Sequence, residues 1–270
     1  MLQRATTWIG TACAALIATT GLAATAHAAP RAERVATVVS HHCENLGVTI
    51  PLSPAQTARA QALLPKGFRM AALPTLLVET SRCAGATVDG QRIGRFHLSE
   101  AALSIEAPRK IESRQLPDLV TENIYMLSQL DTDRLLSETK AAVGYPTELT
   151  EVALDRGTDG SVPRVMTATA GGELAPTSAR ADLTPYLLPA GVQVPNPGVV
   201  YQLWTKNDDG RFVVTTNSNL RIGTPAVGAG TVTVAPGTLL HKLLGARTAS
   251  GLAFSGAASG FVNDTYVFSS

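Results

Sequence analysis

The stretch Val143–Leu149 reads VGYPTEL, with Thr147 and Glu148 placed directly after Gly144-Tyr145-Pro146. Gly-Tyr-Pro ends a helix and redirects the chain, so the next two side chains sit at a corner that can face a pocket. A second candidate lies in FHLSEAAL, where His97 and Glu100 stand three apart. Histidine and glutamate together can move protons. On a strand, however, residues three apart face opposite sides unless a bulge intervenes. Amine chemistry would have to use Lys66, Lys110, Lys140, Lys206 or Lys242. Lys66 lies in a turn and reads as a solvated charge. Lys110 follows Pro108-Arg109 at a strand end; an adjacent Arg can lower its pKa, but it too reads as a solvated turn charge. Lys140 completes Ser137-x-x-Lys140, the serine acylase pattern, but the companion motifs are missing and it reads as an exposed helix residue.

His41-His42-Cys43 offers three adjacent metal ligands, which cannot all point one way on a strand or helix, and no second cluster answers them. No metal is expected. There is no Gly-x-Ser-x-Gly, no phosphate-cradling glycine loop and no dinucleotide fingerprint, so no cofactor is expected either. Tyr201 and Trp204 read as core or pocket wall. Asn263-Asp264-Thr265 fits a glycosylation sequon, which is a common triplet.

The chain has 270 residues and a formal charge of +1. No charge block marks a nucleic-acid or anionic-membrane partner. Arg4, an apolar stretch from about Trp8 to Ala24 and the small residues Ala26-His27-Ala28 form the pattern of a secretory signal peptide, with cleavage after Ala28. Cys13 lies inside the apolar run without a Leu-led lipobox. The expected organisation is residues 1–28 as signal peptide, 29–51 as an N-terminal extension and 52–270 as one domain in a secreted or cell-envelope protein. No stable membrane insertion is expected after cleavage. In that setting Cys43 and Cys83 are expected to pair. Closing their loop of about 40 residues would add roughly 4 kcal/mol in the chain-entropy model.

The elements that must position these residues are mostly strands. Ser53-Pro54 starts a helix that stops at Pro65. Strands are expected over Thr75–Cys83, Arg95–Ala107 and Ile124–Leu130, with a hairpin turn at Asp89-Gly90. Along the second of these the apolar phase changes near Glu100, which a bulge would explain. Asp131-Thr132-Asp133 caps a helix to Ala142, with Leu135, Leu136, Thr139 and Val143 as its inner stripe, and Gly144 is its αL cap. Strands follow over Leu149–Asp155 and Arg164–Ala170, joined by a turn at Thr158-Asp159-Gly160. Residues 171–198 read as a long loop with a helical turn near Leu183–Leu188. Strands resume at Val199–Thr205, Arg211–Thr216, Thr231–Val234 and Phe261–Phe268, with a helix over Thr238–Leu244. About nine strands and two or three short helices describe a mainly β antiparallel barrel or sandwich.

The order LLPKGF, TLLVETSRC, GRFHLSEAALSIEAP, NIYMLSQLDTD and VGYPTELTEVAL resembles a divergent acetoacetate decarboxylase-like β-barrel over about Leu52–Leu154. The resemblance implies an antiparallel barrel around a deep, mostly apolar pocket. In those decarboxylases Gly-aromatic-Pro precedes two lysines. One forms a Schiff base, and its cationic neighbour lowers its pKa so that a free amine exists at neutral pH. Here Thr147 and Glu148 stand in those places. A hydroxyl cannot make an imine, and a glutamate would favour a protonated amine. The resemblance further places Glu100 in the pocket. The pocket candidates are therefore Glu100, Tyr145, Thr147, Glu148 and His97. The functional expectation is a secreted barrel that binds a small apolar or amphipathic molecule without transforming it. The alternative is a lyase acting on a keto acid or other carbonyl with non-family groups, and a third reading is a structural protein of the cell envelope.

Overall fold

The computed structural model describes residues 32–108, 121–156, 164–185, 200–218 and 226–268. Lys110, the Thr158-Asp159-Gly160 turn and the signal peptide lie outside them. The first half of the chain runs β1 (Ala32–Pro51), α1 (Pro54–Leu63), β2 (Thr75–Val88), β3 (Gln91–Ile93), β4 (Phe96–Ser104) and β5 (Thr121–Asp131). Then come α2 (Arg134–Ala142), β6 (Thr147–Leu149), β7 (Val152–Asp155), β8 (Arg164–Ala170) and β9 (Thr177–Pro185). The last part comprises β10 (Val200–Lys206), β11 (Phe212–Ser218), β12 (Ala226–Val234), α3 (Leu239–Leu244) and β13 (Thr248–Phe268).

Seven of these strands close a barrel in the order β1-β2-β4-β5-β10-β11-β13, and β13 returns to β1. All neighbours are antiparallel except β5 and β10, which run parallel, so the barrel is mixed. From β13 the sheet continues outward through β12, β9, β8 and β7. β13 makes this fork possible. It pairs with β1 from Ala32↔Phe268 to Thr49↔Leu252, with β11 along its second half and with β12 along its first half.

Two faces of the barrel wall are therefore covered. Leu46, Val48, Leu76, Val78 and Leu103 point outward into the main core, against Leu154, Met166 and Val232 of the outer strands. A smaller cluster, including Met126, Tyr145, Leu203 and Val213, fills part of the interior. Strands buried on both faces lose clean alternation. This accounts for the apparent phase change along β4. Its pairing with β2 runs unbroken through Glu79↔Glu100 and Arg82↔His97. The irregularity nearby belongs to the β4–β5 pairing, where Ala101↔Ser128 is followed by Ala102↔Met126 and Leu127 is the extra residue.

The structure revises three parts of the expected layout. Residues 29–51, expected as an extension preceding the domain, contain β1, a barrel strand. Of the expected helical turn near Leu183–Leu188, Leu183 to Pro185 are instead the end of strand β9, and the rest lies outside the described residues. The last strand begins at Thr248, thirteen residues before the expected start at Phe261. That segment is rich in Gly, Ala and Ser, which are poor strand formers by propensity. Close approach explains them: a Cβ on Gly251 would collide with the Thr49 carbonyl, and one on Gly47 with the Phe254 ring.

Local signals set the helices as expected. Ser53 and Gln56 form a reciprocal capping box on α1. Gln56 Nε2 and Arg59 Nε then donate to the Leu244 and Leu243 carbonyls at the end of α3. Asp133 Oδ1 accepts from Leu136 N at 3.0 Å and caps α2. Gly144 follows with φ of 92°, and a Cβ there would lie 2.5 Å from Asn207 Cα.

Cys43 and Cys83 are register partners on β1 and β2 and are joined by a disulfide. Replacing both by serine should lower the unfolding free energy by about 2–4 kcal/mol in urea titration, with native strand content retained by circular dichroism. Gly144→Ala combines a positive φ with a backbone collision. It should cost more than about 1 kcal/mol in the same assay.

Candidate ligand cavity

Register partners on neighbouring strands share a face of the sheet. The interior row of this barrel runs Phe254, Gly47, Glu79, Glu100 and Gln129 across β13, β1, β2, β4 and β5. Gly47 carries no side chain, so the Phe254 ring lies over it. Two carboxyl groups stand side by side next to that ring. Opposite them, Asn217 of β11 and Asn263 of β13 form another register pair. Between these groups lies a cavity of about 160 Å³. Leu77, Leu98, Ile124, Leu203 and Phe261 give it apolar walls, while Asn45, Ser81 and Tyr201 add polar edges. By the volume that liquid water occupies, this space holds roughly five to ten heavy atoms.

The polar groups are unevenly satisfied. Glu79 Oε1 accepts from Asn45 Nδ2 at 3.1 Å and from Ser81 Oγ at 3.3 Å. Glu44, the third carboxyl at the cavity wall, is held by Arg82 at 2.8 Å and Arg156 at 2.6 Å. These arginines, with Arg95 and His42, line a cleft of about 500 Å³ that shares Cys43 and Glu44 with the interior cavity. Asn217 Oδ1 and Asn263 Oδ1 are buried without a protein hydrogen-bond partner. Because Asn263 faces the cavity and Thr265 is buried, the sequon is not presented at the surface.

Behind Glu100 lies a second layer of charge, on the side away from the cavity. Lys140 is 4% exposed and Asp131 is fully buried. The sequence placed Lys140 on an exposed helix face; the structure puts it on the inner stripe of α2 with Leu136 and Val143. The spacing of four from Leu136 and three to Val143 carried that signal. Lys140 Nζ sits 4.9 Å over the Tyr145 ring and 3.4 Å from Thr215 Oγ1. The Tyr145 hydroxyl donates to the Leu203 carbonyl at 2.8 Å and lies 2.6 Å from Thr215 Oγ1. Gln129 Nε2 donates to both oxygens of Asp131, at 3.2 and 3.1 Å.

Burial and the neighbouring Glu79 push the Glu100 carboxyl up to about 8, against the attraction of Lys140. Burial likewise raises Asp131 to about 7, opposed by the Gln129 hydrogen bond and by Lys140. Burial raises Glu79, and it lowers Lys140 while Glu100 and Asp131 oppose that shift. Burial is also the first cause that raises Tyr145 and Tyr201.

The candidates named from sequence are dispersed by the fold. Glu100 faces the cavity. Tyr145 lies inside the barrel below it, as part of the Lys140 layer. Thr147 shares the inward face with Gln129, its register partner, and its hydroxyl donates to the Ser137 carbonyl at 3.3 Å. Glu148 clasps the loop before β9: its carboxylate accepts from Glu173 N at 2.9 Å and Leu174 N at 2.8 Å. His97 lies on the opposite face of β4 from Glu100, beside Arg82 and Arg95; burial first and then these arginines lower its pKa. Glu79, Asn217 and Asn263 were missed, because register and not local sequence brings them together. Among the described residues no group of three or more His, Cys, Asp or Glu is placed to hold a metal, and no helix is long and apolar enough to cross a membrane.

This closed barrel with its outer strands is a fold that solved structures share. The chain is similar to an acetoacetate decarboxylase-like enzyme from Sphingomonas wittichii RW1, with 16% identity over 88% of this chain and 94% of that one and a TM-score of 0.59. It is likewise similar to acetoacetate decarboxylase from Legionella pneumophila, with 13% identity, coverage of 91% and 93%, and a TM-score of 0.59. A third similar structure is the enduracididine biosynthesis enzyme MppR complexed with pyruvate, at 14% identity, 90% of each chain and a TM-score of 0.54. The chain thus has the acetoacetate decarboxylase-like β-barrel fold. Neither a family model nor a curated protein sequence matches it.

The carboxyl groups give stability a defined pH dependence. Glu100 and Asp131 titrate higher in the folded chain than in the unfolded one, from 4.5 and 3.8 to about 8 and about 7. Their contribution is complete below the unfolded values and is lost as pH rises through the folded ones. Lys140, shifted downward, acts in the opposite sense at higher pH. The unfolding free energy should fall by more than about 1 kcal/mol between about pH 5 and about pH 8, and Glu100→Gln should flatten that slope. Urea titrations across this range provide the measurement.

Proposed function

We propose that this chain is an exported barrel protein that holds a small amphipathic molecule in its interior and is not a decarboxylase. The observation that carries the reading is the cavity itself. Apolar walls suit a hydrocarbon body, and two opposed polar pairs suit one polar end. Among the described residues no Lys, Arg or His lines it. The corner that holds paired lysines in the decarboxylases holds Thr147 and Glu148, which engage Ser137 and the 173–174 backbone. The disulfide is compatible with export. The neighbour MppR complexed with pyruvate supports the idea that this barrel accepts small molecules.

One observation favours a second reading, a lyase acting on a carbonyl substrate. Lys140 is a buried amine whose pKa burial lowers. Three features weigh against it. Lys140 does not line the cavity, Glu100 stands between, and both charged neighbours of the amine are carboxylates, which favour its protonated form.

Two measurements separate these readings. Borohydride treatment with pyruvate or acetoacetate should leave every lysine unmodified by mass spectrometry; an adduct on Lys140 would establish the lyase reading instead. Leu98→Trp, which fills the cavity from its wall, should abolish retention of small amphipathic molecules in native mass spectrometry. If neither the native protein nor the variant retains any, the binding reading fails.

A further inference from the structure

We propose that the cavity selects the polar end of its occupant and takes a short apolar body bearing an ammonium group in preference to one bearing a carboxylate. This rests on the barrel being a binder of small molecules. Besides the hydroxyls of Tyr201 and Ser255, the polar groups that line the cavity include several acceptors. Glu79 has only neutral donors, Asn45 Nδ2 and Ser81 Oγ, as hydrogen-bond partners. Across the cavity, Asn217 Oδ1 and Asn263 Oδ1 are buried acceptors with no partner among the described residues. Buried acceptors left unmade are costly, and an ammonium supplies three donors and the missing positive charge. A hydroxyl brings one donor. A carboxylate brings none and faces Glu79 and Glu100.

The other charges around this point do not supply the cation. Glu44 is already held by Arg82 and Arg156. Glu122 of β5 adds a second negative influence on Glu79. Lys140 of α2 acts on Glu100 and Asp131 from behind, and Tyr145 and Tyr201 remain neutral phenols. Glu79 and Glu100 are thus the carboxyl groups on the cavity wall that an occupant's charge would meet. An incoming ammonium displaces the proton that Glu79 and Glu100 otherwise retain, so its affinity rises with pH while these groups titrate.

Calorimetric titration of the protein with hexylamine, hexan-1-ol and hexanoate tests this, since the three share a body and differ at the head. The amine should bind roughly tenfold more tightly than the alcohol, and hexanoate least. Amine affinity should rise between about pH 6 and about pH 8.5 while that of the alcohol stays level. Glu79→Gln should reduce the amine preference by roughly tenfold and leave the alcohol unaffected. If the variant does not fold, the ranking and pH trend of the unaltered protein decide the matter. Equal binding of amine and alcohol, or tightest binding of hexanoate, overturns the selectivity and leaves the binding reading intact. Failure of all three to bind overturns both.

Discussion

The pairing of β13 with β1 along their whole length is the constraint on which the rest of the structure depends. One edge of β13 closes the barrel. Its other edge serves β11 in one half and β12 in the other, so one strand belongs to the closed wall and to the outer sheet at once. Without that double use, the barrel would have free edges and the outer strands would have nothing to cover. Gly251 and Gly260 let β13 lie against the Thr49 and Ser40 carbonyls of β1, and Gly47 leaves room for the Phe254 ring. They trade strand propensity for proximity.

That wall fixes the chemistry of the interior. Because the outer face is sealed by the main apolar core, polar residues that alternate with it must face inward. Glu79 and Glu100 are then forced to be neighbours, a placement that is unfavourable for two ionised carboxyls. The structure sets a lysine from α2 behind them, and burial lets both carboxyls hold their protons to higher pH. A buried ion is tolerated only when paired. Lys140 has the carboxyls of Glu100 and Asp131 near enough to oppose its loss of charge, its Nζ rests against Thr215 Oγ1 and the Tyr145 ring, and Glu79 keeps neutral partners.

Sequence reasoning recovered what local rules determine. The capping box at Ser53, the Asp133 cap, the left-handed Gly144 and the Cys43–Cys83 pair each depend on a few adjacent residues or on one long loop closure. The barrel fold was also legible, through the order of short motifs from LLPKGF to VGYPTEL. Where long-range packing decides, the sequence was silent or misleading. Only the Phe261–Phe268 end of β13 reads as strand, because the glycines of its first half answer to a neighbouring backbone. β9 reads as part of a long loop because its alanines carry no strand signature. Thr147 and Glu148 looked like pocket residues because their position in the chain was right, but hydrogen bonds to backbone groups engage both. Lys140 was misread although its helical spacing placed it inward, because a charged residue outweighed the stripe it belongs to.

The seam between β1 and β13 also bears on how the molecule is made. Ala32 pairs with Phe268, so the barrel closes only when the first and last described strands meet. Until then β1 exposes an open edge, and closure must await contacts of the greatest sequence separation, which are slow to form.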